Sequence, residues 1–290
     1  MYSIILNPAS GNGLAARVLP KLEALLTEAG IKYRVDKTVR AGDSRLYARR
    51  AAEDGLEGVI AVGGDGTFFE VVNGIARSEL EVIFAPCGTG NDFVKTFRLP
   101  KETVRAVALQ LRAPERRIDL GRFNDMYFVN VAGAGFDVDV LVETEKFKGR
   151  FKGLVAYMLG AFSAIRHLRP LQIEMEIDGG APETLESTII SVGNGRYIGG
   201  GMKAVPGAVP DDGLFDVVVA RRVNKLTVGV LLFFFVLGIH TKLTWLCRSF
   251  RCKRLKVRGL SSLEADGEIF RAESADFEIL PRALRTRLPG

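Results

Sequence analysis

Apolar positions along the first hundred residues alternate between two patterns. Short, largely β-branched runs at Ser3 to Leu6, Val59 to Val62 and Val82 to Ala85 read as buried strands. Ile31, Tyr33 and Val35 alternate as a further strand that leads to Thr38. Between the strands the spacing turns helical. Leu14, Val18, Leu22, Leu25, Leu26 and Ala29 form one apolar face closed by Gly30. Leu46, Ala48, Ala51 and Ala52 form another behind Gly42-Asp43-Ser44, and helices follow from Phe68 and from Phe93. Strand, polar or glycine turn, helix, repeated, predicts an α/β domain with a doubly wound parallel sheet. Ligands are expected where its strands end.

From about Ile118 the pattern changes. Tyr127 to Val131, Ile173/Met175/Ile177, Thr188 to Val192, Phe215 to Val219, Leu255/Val257 and Phe277/Ile279 read as strands. Asp178-Gly179, Asp212-Gly213 and Asp266-Gly267 supply turns between them. A β-rich domain, a sandwich, is the economical reading, with helical insertions at Leu154 to Ile165 and Leu226 to Trp245. No linker rich in Pro, Gly or Ser separates the halves, so the boundary is set near residue 122, giving domains 1–122 and 123–281.

Bulk properties narrow this only slightly. The 290 residues, 47% hydrophobic and 26% charged, suffice for a folded chain with a real core. A net charge of +6 suits nucleotide, nucleic acid or an anionic membrane and singles out none. Three cysteines without a Cys-x-x-Cys pair argue for reduced, intracellular thiols, and two histidines argue against a His-based zinc site. The chain opens directly on a strand, so no signal peptide is expected. The apolar run Val228 to Ile239 falls short of the ~20 residues of a membrane span. A cytoplasmic protein is expected, or one that sits on a membrane without crossing it.

The candidate chemistry centres on Gly63-Gly64-Asp65-Gly66-Thr67. Thr67 and Glu70 have the spacing of a capping box, which makes Thr67 the expected N-cap. Glycines allow close backbone approach, and exposed N–H groups at a helix N-terminus favour a phosphate. Asp65 beside phosphates calls for a divalent cation between them; the alternative is a tight turn whose Asp caps the helix. Turns around Gly11 and Gly88 should converge on the same edge. Gly-x-x-x-x-Gly-Lys-Ser/Thr, Gly-x-Gly-x-x-Gly and protein-kinase signatures do not occur, which disfavours P-loop NTPases and standard dinucleotide sites.

Several motifs in order resemble the diacylglycerol kinase catalytic domain family, specifically the bacterial soluble lipid kinases. They are Asn7-Pro8-Ala9-Ser10-Gly11, Gly63 to Thr67 with Glu70-Val71-Val72-Asn73-Gly74, Gly88-Thr89-Gly90-Asn91-Asp92-Phe93 and Ile118-Asp119-Leu120-Gly121. Asn194-Gly195, Gly199-Gly200-Gly201-Met202, Asp212-Gly213-Leu214 and Asp266-Gly267-Glu268 continue the set across the chain. The five-residue glycine motif alone is shared with NAD kinases and phosphofructokinase-like folds.

The resemblance implies a nucleotide-binding α/β domain of NAD kinase/phosphofructokinase-like fold, a β-sandwich-rich second domain, a cleft between them, and residues 282–290 rejoined to the first. It implies ATP contacts at Asn7, Pro8, Ala9, Ser10, Gly11, Thr38, Gly63, Gly64, Asp65, Gly66, Thr67, Phe68, Phe69 and Thr89. Glu268 aligns with the family's catalytic base, and a Mg²⁺ site is implied at Asp212 with the carbonyls of Val209 and Leu214. Phe69 departs from the family, which usually has Asn there.

Phosphoryl transfer to an alcohol needs a positioned γ-phosphate, charge compensation and a base beside the hydroxyl. Asp65 and Asp119 could hold a catalytic Mg²⁺, and Asp266 could assist Glu268; strand-end and hairpin turns are the plain alternatives. Gly199 to Gly201 read as a lid or as close backbone packing between domains. Val228 to Leu237 reads as a core helix or one open toward lipid. The cations from Arg248 to Arg258 read as a solvated strand face or a dock for anionic lipid. The expected activity is transfer of phosphate from ATP to a lipid alcohol, diacylglycerol first. A sphingoid base, another lipid alcohol or NAD is the alternative acceptor, and a non-catalytic nucleotide- or lipid-binding protein is the alternative of another class. Expected partners are the lipid and an anionic membrane surface, with no nucleic acid and a homodimer left open.

Overall fold

The computed structural model describes residues 1–147, 150–151 and 153–289. The chain divides into two compact units, Met1–Asp119 with Arg282–Gly290, and Leu120–Pro281.

In the first unit the elements run β1 (Tyr2–Leu6), α1 (Ser10–Glu28), β2 (Tyr33–Lys37), α2 (Asp43–Glu53), β3 (Gly58–Gly63), α3 (Asp65–Ile75), β4 (Glu81–Pro86), α4 (Asp92–Thr96) and α5 (Thr103–Arg112). All inter-strand pairs here are parallel, with Ile4 opposite Ile60 and Ile60 opposite Ile83. Strands β1, β3 and β4 are buried along their whole length, which is why they read as continuous apolar runs rather than alternating ones. One face packs Ile4, Ile60 and Ile83 against Val18, Leu22 and Leu26 of α1. A second cluster holds Phe84 at 5.0 Å from Phe68 and 4.6 Å from Phe93 between ring centroids.

The second unit takes over within β5 (Glu115–Phe123). It continues with β6 (Met126–Phe128), β7 (Val131–Gly135), α6 (Phe136–Glu145), α7 (Gly153–Ala164), β8 (Leu171–Ile177), β9 (Glu183–Gly193) and β10 (Phe215–Arg221). Then come α8 (Lys225–Leu237), β11 (Cys247–Cys252), β12 (Arg254–Arg258), β13 (Leu263–Ala265), β14 (Glu268–Phe270) and β15 (Ser274–Arg287). Its strands follow the order β14-β13-β7-β9-β8-β12-β15, all antiparallel, with β10 and β11 branching from β9. Helices α6, α7 and α8 cover one core through Val140, Tyr157, Ala161, Leu231 and Phe235.

The last residues of β15 belong to the first unit, where Arg285 and Thr286 pair in parallel with Glu81 and Val82. The first sheet therefore reads β15-β4-β3-β1-β2. Arg287 Nε reaches Glu81 Oε2 at 2.8 Å, and Tyr2 donates to its other oxygen at 2.6 Å, so the buried Glu81 carboxylate is satisfied from two distant places.

Four local readings are corrected. Tyr127 to Val131 is broken into β6 and β7, because Val129, Asn130 and Val131 turn their N–H groups to one carboxylate, that of Asp266. The α6 helix was not foreseen: acidic residues at 137, 139 and 143 blur its apolar face. The insertion expected from Leu226 to Trp245 ends as an α-helix at Leu237, where Gly238 takes φ 73°. Gly199 and Gly200 pack on Tyr157 and on the Gly153-Leu154 backbone of α7, in their own unit, where a Cβ would stand 2.4 and 2.8 Å from its neighbours.

Candidate active site

Three neighbouring strands of the first sheet end in the three glycine turns. Asn7 donates its N–H to Val62 at 3.1 Å, Cys87 to Gly63 at 2.7 Å, and Thr38 to Leu6 at 2.9 Å, so these strand ends are stitched side by side. The turns touch through glycine. A Cβ on Gly88 would lie 2.4 Å from the Gly64 Cα, and one on Gly11 would lie 2.1 Å from the Cys87 carbonyl oxygen. No other residue fits at those approaches. Gly11, Asn12 and Gly13 have φ of 62, 56 and 80°, so the regular part of α1 starts only after them.

The starts of α1 and α3 lack side-chain caps. At α3 the N-cap is Gly64, and at α1 it is Ala9. Asn91 at α4 turns its side chain back to the N–H and carbonyl of Gly88 at 3.0 and 2.8 Å. By contrast, Glu102 caps α5 and Asn224 caps α8. A glycine N-cap leaves first-turn amides to an outside acceptor, the arrangement that suits phosphate.

Thr67 lies inside the first turn of α3 and is not its N-cap. It receives an Asn7 amide N–H at 3.4 Å. Glu70 does not complete a capping box; its carboxylate accepts the N–H of Gly42 at 2.8 Å and of Ser44 at 3.2 Å, capping α2 instead. The capping-box spacing was real, but the side chain found the neighbouring helix. Phe68 and Phe69 are buried in the core, the latter 5% exposed.

Asp65 Oδ1 accepts the Asp92 N–H at 2.8 Å, and the Asp92 carboxylate pairs with Lys95 at 2.8 Å. Burial first, then the Asp92 charge, push the Asp65 carboxyl up to about 6. Two carboxylates with one lysine in these turns form a setting that a divalent cation would relieve, so Asp65 fits a Mg²⁺ ligand on chemistry. Asp119 is fully buried and accepts the Arg282 N–H at 2.8 Å, which ties the returning strand to the end of the first unit.

The second unit holds the other predicted residues. Asp266 (φ 49°) and Gly267 (φ 89°) form the two-residue turn of the β13–β14 hairpin, with Ala265 opposite Glu268. Asp266 oxygens accept Val129, Asn130 and Val131 N–H groups at 2.8, 2.9 and 3.1 Å. That carboxylate is a structural clamp, not a helper base. Glu268 follows the turn with an exposed side chain. Asp212 accepts the Leu214 N–H at 3.1 Å and forms an ion pair with Arg251. A guanidinium on the only carboxylate of the implied Val209–Asp212–Leu214 site does not fit a cation there. Among the described residues no group of three or more His, Cys, Asp or Glu comes together.

Sequence reasoning missed Asp137. Its side chain is 3% exposed and enters a narrow cavity of about 10 Å³, also lined by Phe136, Val140, Tyr157, Ile189, Leu232 and the hydroxyl-bearing Ser191. Oδ1 accepts the Val138 N–H at 2.9 Å, while Oδ2 has no protein partner among the described residues. Burial pushes this carboxyl up to about 7. An acidic residue in an unforeseen helix left no pattern to read.

Comparison with known proteins supplies the family. The sequence profile of the "Diacylglycerol kinase catalytic domain" matches residues 1–123, and that of the "YegS C-terminal NAD kinase beta sandwich-like domain" matches residues 130–287. The chain belongs to the diacylglycerol kinase family. Family members include the diacylglycerol kinase of Staphylococcus aureus, 31% identical over 99% of this chain and 92% of its own. That of Staphylococcus carnosus is 32% identical over 82% of this chain and 78% of its own. In fold, the chain is similar to a putative diacylglycerol kinase from Bacillus anthracis, with TM-score 0.82, 23% identity, and 99% and 94% of the two chains covered. An ATP complex of an NAD kinase from Archaeoglobus fulgidus shares the fold more distantly, with TM-score 0.54, 10% identity, and 98% and 92% covered. As a member of this kinase family the protein is a phosphotransferase with an alcohol acceptor, and ATP is the phosphate donor that kinase membership implies. Among the described residues no helix is long and apolar enough to cross a membrane.

Proposed function

We propose that this protein transfers the γ-phosphate of ATP to the hydroxyl of a lipid alcohol, diacylglycerol to phosphatidic acid. The observation that carries the lipid half is the cavity of the second unit: a largely apolar slot beneath α6, α7 and α8 with the Asp137 carboxyl and the Ser191 hydroxyl in its wall. As it stands the slot has room for about one water, so an acyl chain would enter by displacing the α8 side chains Leu232 and Phe235. A carboxyl raised to about 7 is protonated in a large fraction of molecules near neutral pH, and in that form it can donate a hydrogen bond to an ester carbonyl.

The nucleotide half rests on the uncapped, glycine-packed turns of the first unit, whose N–H groups would bind phosphate oxygens while Asp65 holds Mg²⁺. Mg²⁺ would offset charge on the transferring phosphate. Glu268 would accept the hydroxyl proton. Phe69, the only sequence support for a non-catalytic protein, is a buried core residue, 5% exposed.

The test is transfer of labelled γ-phosphate from ATP into a mixed lipid extract, with identification of the product. Label in phosphatidic acid supports the reading; label in a sphingoid phosphate or in NADP replaces it. Glu268→Gln should lose about a hundredfold or more of turnover. Full turnover would remove the base assignment.

A further inference from the structure

Two buried side chains of the second unit leave a polar atom that the fold does not use. Asp137 turns Oδ1 to the Val138 N–H in the first turn of α6, but its Oδ2 meets no protein donor among the described residues. Ser191, on β9 and 1% exposed, has a hydroxyl that likewise meets no protein partner among them. Both line the slot beneath α6, α7 and α8, among Val140, Ile189, Leu232 and Phe235. Native interiors rarely keep such an atom unless something outside the fold answers it. Here two of them share one wall.

Strand register brings the pair together. Ser191 stands opposite Gly133 of β7, so a side chain at position 133 would share its face of the sheet. Glycine leaves that place empty, and the Asp137 carboxyl fills it. A Cβ on Gly133 would lie 2.0 Å from Asp137 Oδ2, an approach that only glycine permits. The turn from β7 into α6 therefore folds Asp137 back over its own strand, beside the serine. On the other flank of Gly133 is Glu264 of β13, whose Oε2 accepts the Gly267 N–H at 3.1 Å in the turn before Glu268. A row of polar side chains thus leads from the slot toward the hairpin that carries the candidate base.

The chemistry of the pair defines its ligand. A serine hydroxyl donates a hydrogen bond whatever the state of the carboxyl, and burial leaves the carboxyl its own proton to donate in a large fraction of molecules near neutral pH. Two donors in a largely apolar wall suit a neutral oxygen that accepts through both lone pairs. An ester carbonyl is such an oxygen. It also arrives attached to an acyl chain, which is what the apolar lining of the slot receives. An ether oxygen accepts more weakly and would leave the buried donors without an adequate partner.

We propose that Asp137 and Ser191 are specificity residues of the acceptor site, holding an ester carbonyl of the lipid alcohol. This rests on the lipid-kinase reading and deepens it: acceptors are told apart by how their chains are attached, not only by the hydroxyl that is phosphorylated. The test measures phosphate transfer to a diacylglycerol and to the dialkylglycerol of the same chain length, dispersed in the same detergent. The two share hydroxyl and chains, and only the first has carbonyls. Wild type should show kcat/KM about tenfold higher for the diester, chiefly through KM. Asp137→Leu, which keeps the slot apolar, should retain its melting curve and bring that ratio to about one. Asp137→Asn keeps a donor and should preserve most of the preference. Ser191→Ala, a small change in the same wall, should lose about threefold of it. Equal efficiency of the wild type on both lipids overturns the proposal. So does a diester preference undiminished in folded Asp137→Leu and Ser191→Ala, or one lost as fully in Asp137→Asn as in Asp137→Leu. In each of those cases the lipid-kinase reading stands. Phosphate on neither lipid ends both.

Discussion

The turns of the two units are built from the same residues, glycine and aspartate, yet they treat backbone amides in opposite ways. In the second unit the aspartates of the hairpin turns take up N–H groups: Asp266 accepts three, and Asp178 accepts those of Lys253 and Arg254 at 2.9 and 2.8 Å. In the first unit the strand-end turns press glycine on glycine, and two of their helices begin on Gly64 and Ala9 without a capping side chain. A turn whose carboxylate already holds its neighbours' amides is architecture. A turn whose helix starts on an uncapped glycine, as α3 does, is where an external anion can bind.

The strongest way to break this comparison is to force the first unit's turns apart. Gly88→Val should abolish or cut turnover about a hundredfold or more, with ATP affinity falling alongside, because the new side chain meets Gly64. Equilibrium binding and kinase assays check it; an unaffected enzyme would mean that the close approach has no role. Next is Asp266→Ala, which leaves three amides without their acceptor and should lower unfolding free energy by about 3 kcal/mol in urea titrations. Asp266→Asn should recover part of that, as a helper base would not.

Asp137 sharpens the contrast, being a second-unit carboxyl with an oxygen that no turn uses. Its folded value near 7 lies above the unfolded value near 3.8, so the native state holds a proton that the unfolded chain has released between them. Stability should therefore fall as pH rises from about 4 to about 7 and level off above. Urea midpoints across that range should show the fall in the wild type, and Asp137→Asn should flatten it. The smallest effect is expected at Glu70→Gln. Its carboxylate caps α2 rather than its own helix, and the change should cost about 1 kcal/mol, with the loss seen as faster amide exchange at Gly42 and Ser44.

The class of fold was legible because local pattern and burial agree in it. Fully buried parallel strands give unbroken apolar runs, and Gly63 to Thr67 announces a strand ending on a helix. What failed to show locally depends on partners far along the chain. Glu70 looks identical in sequence whether it caps α3 or α2, and only the packing of those helices decides. The basic run from Arg248 looks like a charged dock until β8, β9 and β15 bring glutamates opposite it. Asp212 could be read as a cation ligand for the same reason, since its arginine lies 39 residues away. Asp137 was invisible because one carboxyl facing an apolar slot leaves no periodic mark.

The strand that flanks β4 has a consequence for how the protein comes into being. The first sheet's edge is completed by residues beyond Arg282, and the buried Glu81 carboxylate obtains its arginine only from position 287. A growing chain emerging from the ribosome would thus carry an incomplete first sheet, with the Glu81 carboxylate held by Tyr2 but lacking its arginine, while the whole of the second unit is being made. Maturation of the first unit is placed last by connectivity alone, so premature termination anywhere in the final strand should yield a protein faulty at the end that was synthesised first.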